Sequence, residues 1–274
     1  IQVEEEDEDA FVDDILNRKK QLERYIDVTK SQLLFSKGIL FVEGISEELL
    51  VPVFAYFLEK KLEDYKIELL NADGTSFYPF IYLFNSTEKL KTLPLPLSIL
   101  TDDDKFPASK NTEYSFKNIK DNLLKVDELH QNIKGAEQST RIKNISEVIK
   151  DVPQKISLNT SDKTFEFALV QANITRKKVE NIDNLLWKYL AQSKLTIKKF
   201  NKIKEHMESF TGTEITEKEL NQLQILIWKA LPSKAEFAQD FSIYLLANIE
   251  LAKTNFVVPK YIQKAITHLT DYKV

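Results

Sequence analysis

The 274-residue chain contains no cysteine. A disulfide framework, a thiolate zinc site and a cysteine nucleophile are therefore all excluded, and a reducing, cytoplasmic compartment is the natural expectation. Only His130, His206 and His268 supply imidazole, far apart and without HExxH spacing, which argues against a zinc protease or a histidine-based triad. Any metal must be held mainly by oxygen. With five glycines and no GxxxxGK[ST], the chain has no phosphate-cradling loop for ATP. No apolar run approaches the ~20 residues a membrane helix needs. The first residues, IQVEEEDEDAF, are the opposite of a signal peptide's basic start. The expectation is a soluble chain without a membrane partner. Because it opens at Ile1 inside an acidic tract, it is also expected to be a piece of a longer polypeptide.

What is present suits a globular fold: 43% hydrophobic and 29% charged residues allow one large domain or two modest ones. A formal charge of −4 taken alone disfavours a nucleic-acid partner, since phosphate contacts need lysine and arginine. Distribution matters more than the sum. Arg176, Lys177, Lys178 and Lys198, Lys199, Lys202, Lys204 would make local positive faces, or simply the solvated sides of helices, while a carboxylate-lined metal site would add negative charge.

Apolar spacing predicts a helix over 11–34, a buried strand over 39–42, and a helix over 49–58 that Pro52 distorts or that becomes regular only near Val51. A second strand is predicted over 67–72, closed by Asp73-Gly74, then an aromatic-rich helix over 77–90 and a third strand over 97–101. After a polar helical stretch, about 115–150, a short fourth strand is expected over 156–158. Helices over 179–190, 197–209, 217–231 and 235–251 follow, with a last one after Pro259. Strand and helix alternate through 38–105, which implies right-handed βαβ units and a parallel sheet of about four strands with helices on its faces. Trp187 and Trp228 fall on apolar helix faces, as core residues do.

In such sheets, chemistry gathers at the carboxyl ends of the strands. Glu43 ends the first strand, Asp102 and Asp104 the third, and Glu166 follows the fourth. Each has a plainer reading. Glu47 and Glu48 fit first-turn acids behind an Ser46 N-cap, worth ~0.3–1 kcal/mol each, and Asp102-Asp103-Asp104 fits a polar strand exit. Glu43 directly follows four apolar residues, where a partly buried carboxylate is costly unless paired or cation-bound. Clustered carboxylates without a fixed positive partner suit Mg²⁺ or Mn²⁺, and five such acids would hold two ions that activate water and stabilise the leaving oxygen of a phosphodiester. Downstream, Pro232-Ser233-Lys234-Ala235-Glu236 has the capping-box pattern. Lys234 then stands at the first helical position, against the helix dipole, either tolerated there by exposure or held by nearby anions.

These residues resemble the Toprim fold shared by topoisomerases, DnaG-type primases and several nucleases. The fuller series is Gly38-Ile39-Leu40-Phe41-Val42-Glu43-Gly44-Ile45-Ser46-Glu47, then Leu100-Thr101-Asp102-Asp103-Asp104, Thr164-Phe165-Glu166, Lys234-Ala235-Glu236-Phe237-Ala238 and Val258-Pro259-Lys260-Tyr261-Ile262. In that order it resembles the C-terminal half of the OLD (overcoming lysogenization defect) ATP-dependent endonucleases, to which the nuclease subunit of the Gabija phage-defence system is also similar. The resemblance implies an α/β, Toprim-like Rossmannoid sheet with a mostly helical insertion and a helical C-terminal domain. Its divisions would be a linker helix at 1–34, a catalytic domain at 35–172 with an insertion at about 112–152, and a helical domain at 173–274 contributing Lys234. It further implies a two-metal DNA endonuclease with Glu43, Glu47, Asp102, Asp104 and Glu166 as ligands of Mg²⁺ or Mn²⁺, and with Lys234 acting in the chemistry. Glu43 alternatively takes part in proton transfer. Asp103 departs from the small residue usual in the family, Phe165 replaces its leucine, and the family's ATPase half, with its dimerisation surface, is expected upstream, leaving this fragment monomeric and the full-length protein dimeric.

Two other classes compete. A strand followed by DDD also suits DxD glycosyltransferases and haloacid-dehalogenase phosphatases, although Phe106 stands where the phosphatase motif wants Thr or Val, and neither class accounts for Glu43-Gly44 or Glu166. A Toprim fold that merely docks another subunit is the third possibility.

Overall fold

The computed structural model describes residues 20, 35–72, 77–88, 92–103, 118–176, 184–210 and 214–273. The helix expected over 11–34 lies outside them except for Lys20. Its centre is a four-stranded, wholly parallel sheet of order β2-β1-β3-β4, built from β1 (Gly38–Val42), β2 (Ile67–Asn71), β3 (Leu97–Asp102) and β4 (Ile156–Ser161). Gly38 stands in close quarters, where an added Cβ would come 3.3 Å from the Pro96 side chain, tighter than most contacts, and 3.4 Å from Leu269.

Alternation along the strands divides the core in two. Leu40, Val42 and Leu100 point to one face, Ile39, Phe41, Leu97 and Ile99 to the other. Against the first face lie α1 (Ile45–Phe57) and α11 (Lys260–Thr270), and α5 (Phe165–Asn173), α8 (Glu217–Ala230) and α9 (Lys234–Ala247) extend the same continuous apolar cluster, which reaches to Leu269. The second is covered by the single turn α2 (Tyr78–Ile81) and by α4 (Thr140–Ile149), through Phe77, Phe80, Ile81, Ile145 and Ile149. The remaining α-helices among the described residues are α3 (Leu123–Gly135), α6 (Leu185–Gln192), α7 (Ile197–Met207) and α10 (Ile249–Asn255). Trp187 packs edge-on against Phe200 at 4.6 Å and Trp228 lies 5.0 Å from Phe167, as core residues.

Several elements depart from the sequence expectation for identifiable reasons. α1 begins at Ile45, ahead of Pro52, and runs through it. A proline inside a helix costs roughly 3 kcal/mol, offset here by the complete burial of Leu50, Val51, Phe54 and Ala55. The helix expected over 77–90 shrinks to α2 because the Leu83 carbonyl is taken by the Leu93 amide at 2.8 Å, which turns the chain back. The helix expected over 235–251 divides at Asn248, whose side-chain amide donates to the Tyr244 carbonyl at 2.8 Å in competition with the helical ladder. β4 extends three residues further than expected, pairing with β3 as far as Asp102 and Ser161.

Phe54 joins α1 to its neighbours: it is fully buried, with ring centroids 6.2 Å from Phe165 and 5.3 Å from Phe256. Phe54→Ala is expected to destabilise the chain by about 3–5 kcal/mol in urea denaturation. A loss below about 1 kcal/mol would contradict this packing.

Candidate functional site

Parallel strands put all their carboxyl ends on one edge, and the sequence places an acid at or just after three of them. Asp102 is the last residue of β3 and only 2% exposed. Its Oδ1 accepts from the hydroxyl of Ser161, the last residue of β4, at 2.8 Å, and its Oδ2 lies 3.7 Å from Lys234 Nζ. Glu47, in the first turn of α1, is 4% exposed, and Glu166, in the first turn of α5, is 5% exposed. Thr164 caps α5 by accepting the Phe167 amide, and this fixes where Glu166 emerges.

Ser46 is not the cap of α1; Gly44 holds that position. The Ser46 hydroxyl is buried and donates instead to Glu166 Oε1 at 2.7 Å, with the Lys234 carbonyl 3.4 Å away. Three helix N-termini, those of α1, α5 and α9, thus meet around one serine, and their dipoles favour negative charge between them. Gly44 itself is extended (φ −157°, ψ −174°), so no tight turn demands glycine there. Nor does space demand it, since a Cβ would stand 3.6 Å from Glu47 Oε2, an ordinary contact.

Glu43 follows β1 and is held apart from this group. Its Oε2 accepts from the Thr101 hydroxyl, from the Asp102 amide at 3.1 Å and from Arg141 Nη2 at 3.2 Å. Arg141, from α4, also donates to Thr101 Oγ1 at 3.0 Å and to the Asp102 carbonyl. The carboxylates therefore do have fixed cations, Arg141 for Glu43 and Lys234 for Asp102. Sequence reasoning missed Arg141; the available signal was its rarity, as one of four arginines in the chain. Glu48, a first-turn acid of α1 as the sequence suggests, is exposed and accepts from Asn71 at 2.7 Å. Asp103 is buried and accepts the Ser139 amide at 2.9 Å, which ties the strand exit to the start of α4. Asp104 lies outside the described residues, as do Lys177 and Lys178. Lys198, Lys202 and Lys204 line an exposed side of α7.

Burial, reinforced by Asp102 and Glu166, raises the Glu47 pKa well above the usual carboxylate value, against a backbone hydrogen bond and Lys234. Asp102 is pushed up to about 7, first by burial and then by Glu166 and Glu43, against the pull of Lys234 and Ser161. Desolvation opposes the charge of Lys234, but Glu166, Asp102, Glu47 and Glu43 outweigh it and raise its pKa. Three buried acids facing one lysine are the donor set that a hard cation takes. As they stand, however, no three Asp, Glu or His side chains among the described residues are gathered closely enough to hold an ion. Glu43 is turned to Arg141 and Glu166 to Ser46.

Residues 34–104 match the family described as "Overcoming lysogenization defect protein-like, TOPRIM domain". The chain is also 33% identical over 104 residues to the endonuclease GajA of Bacillus cereus (strain HuB5-5), a stretch covering 37% of this chain and 14% of that protein. Among solved structures it is similar to the C-terminal region of the Xanthomonas campestris pv. campestris OLD protein, with TM-score 0.44 and 23% identity over 88% of this chain and 95% of that one. The C-terminal region of the Burkholderia pseudomallei OLD protein gives TM-score 0.43 and 24% identity over 86% and 98%. No helix among the described residues is long and apolar enough to cross a membrane.

Both raised acids bind a proton more tightly in the folded chain than in the unfolded one. The contribution of Asp102 to stability is therefore present in full below about 3.8 and is lost as pH rises through about 7, and that of Glu47 changes in the same direction. Metal-free protein is expected to melt at a lower temperature near pH 8 than near pH 5.5, by about 2–4 °C for each kcal/mol lost. Scanning fluorimetry of Asp102→Asn should show a flatter dependence. An unchanged slope would show that Asp102 does not carry the effect.

Proposed function

We propose that this chain, whose residues 34–104 are an OLD-like TOPRIM domain, is the DNA-cleaving part of a larger ATPase-nuclease protein and works with divalent cations on duplex DNA. The observation that carries this reading is the burial of Glu47, Asp102 and Glu166 on one sheet edge opposite Lys234. The similarity to a protein named as an endonuclease supports it.

In this reading Glu47, Asp102 and Glu166, with Glu43 and Asp104, hold a pair of Mg²⁺ or Mn²⁺ ions. Such ions supply Lewis acidity and lower the pKa of bound water. The chain's own residues do the rest. The ammonium of Lys234 is exposed (62% of its side chain) yet anchored by Asp102, so it can meet a phosphate oxygen at the mouth of the site. The N-termini of α1, α5 and α9 add a field that favours the phosphate's charge. Glu43 either joins the ligands on leaving Arg141 or moves a proton from its place beside Thr101. An upstream ATPase half, dimerisation of the full-length protein and a role in phage defence belong to the same proposal.

A docking module without catalysis is the second reading, favoured by the Glu43–Arg141 pair and by the separated acids. Incubation with supercoiled plasmid separates the two. Cutting is expected with Mn²⁺ or Mg²⁺ and not with EDTA, and Glu43→Ala and Asp102→Ala should abolish it without unfolding the protein. Lys234→Ala is expected to slow cutting on the order of 10²-fold; full activity in that variant would remove the lysine from the chemistry. Intact plasmid in the presence of wild-type protein and metal, with variants that melt differently, would favour docking.

A further inference from the structure

The hydroxyl of Tyr261 is buried and has no hydrogen-bond partner, although its ring is only partly buried. A phenol in that position has lost its bonds to water without replacement, and a buried polar group of that kind calls for an explanation. Tyr261 is the second residue of α11 and belongs to the Val258-Pro259-Lys260-Tyr261-Ile262 segment, which the proposed chemistry has so far left without a role.

Its position is fixed from two directions. Within α11, the Ala265 carbonyl accepts from Ser98 of β3 at 2.9 Å, fastening the helix to the sheet. Just before it, the Asn173 amide group brackets Val257, donating to its carbonyl and accepting from its amide, each at 2.9 Å. Held in this way, the hydroxyl feels the charges of Asp102, Glu47 and Glu166, the three acids buried at the sheet edge. Oxygens of two of them are already engaged, Glu166 Oε1 by Ser46 and Asp102 Oδ1 by Ser161. The arrangement is thus two hydroxyls that donate to the acids and a third, within the influence of their charge, that has no partner.

We propose that Tyr261 is a positioning residue of the cation site, whose hydroxyl donates to the Glu47, Asp102 and Glu166 array once a divalent cation draws those acids together. The inference rests on the cation-site reading above. A ligating carboxylate has lone pairs the ion does not use, and a neutral donor on them orients the ligand without competing for charge. Its burial keeps the phenol from DNA, so it acts through the acids and not on the substrate.

Mn²⁺ binding to the whole chain, followed by the loss of the free-ion EPR signal near pH 8, tests this with Tyr261→Phe. The expected result is a dissociation constant about 10–100-fold weaker than wild type, a metal-free melting temperature equal to or above wild type, and plasmid cutting restored at high Mn²⁺. Unchanged Mn²⁺ affinity would overturn the inference. So would weaker binding accompanied by a lower metal-free melting temperature, because that pattern marks a merely structural hydroxyl. Wild-type protein that binds Mn²⁺ but leaves DNA intact would overturn the nuclease reading alone, and wild-type protein that binds none would overturn both.

Discussion

Burying Glu47, Asp102 and Glu166 together is electrostatically expensive, and the structure around them is arranged to bear that cost. Each is at most 5% exposed, and at Glu47 and Asp102 burial and the neighbouring carboxylates raise the pKa. The parallel sheet is what brings them to one edge, since only parallel strands deliver all their carboxyl ends to the same side. Helix N-termini, the hydroxyls of Ser46 and Ser161, and the ammonium of Lys234 then surround the acids with positive potential. None of these donors cancels the charge outright, and the remainder is what a divalent cation would take up.

The apolar frame gives this polar edge its rigidity. Phe54 of α1 stacks on Phe165 of α5 and on Phe256, which couples the helix that carries Glu47 to the helix that carries Glu166. On the opposite face, Ile145 and Ile149 seat α4, and α4 carries Arg141 to Glu43. Glu43 is therefore governed by the second face of the sheet and the buried triad by the first. Whether Glu43 joins the other acids depends on what becomes of its pair with Arg141, which is partly exposed and so weaker than a buried one.

Much of this was legible in the chain. Ile39–Val42 marked a buried strand because four apolar residues in a row suit a strand covered on both faces, and the strand–helix alternation gave the parallel sheet. Once the strand ends were placed, Glu43, Asp102 and Glu166 fell at one edge by topology alone. Other features depend on contacts that local pattern does not encode. Leu93 captures the Leu83 carbonyl and shortens a helix, and Asn248 turns on its own backbone and divides another. Ser46 reads locally as a cap, yet its hydroxyl is taken by Glu166, a partner remote in sequence. Arg141 and Tyr261 come from helices whose spacing identifies their buried faces but not what their polar ends meet.

The central claim is that the buried acids form a cation site, and crystals of the chain soaked in Mn²⁺ test it most directly through anomalous scattering at the manganese edge. The account expects a peak about 2.0–2.2 Å from oxygens of Glu47, Asp102 and Glu166, with Glu166 or Asp102 turned from its serine toward the ion. An empty edge, with Ser46 still on Glu166 and Ser161 still on Asp102 at saturating Mn²⁺, would contradict it.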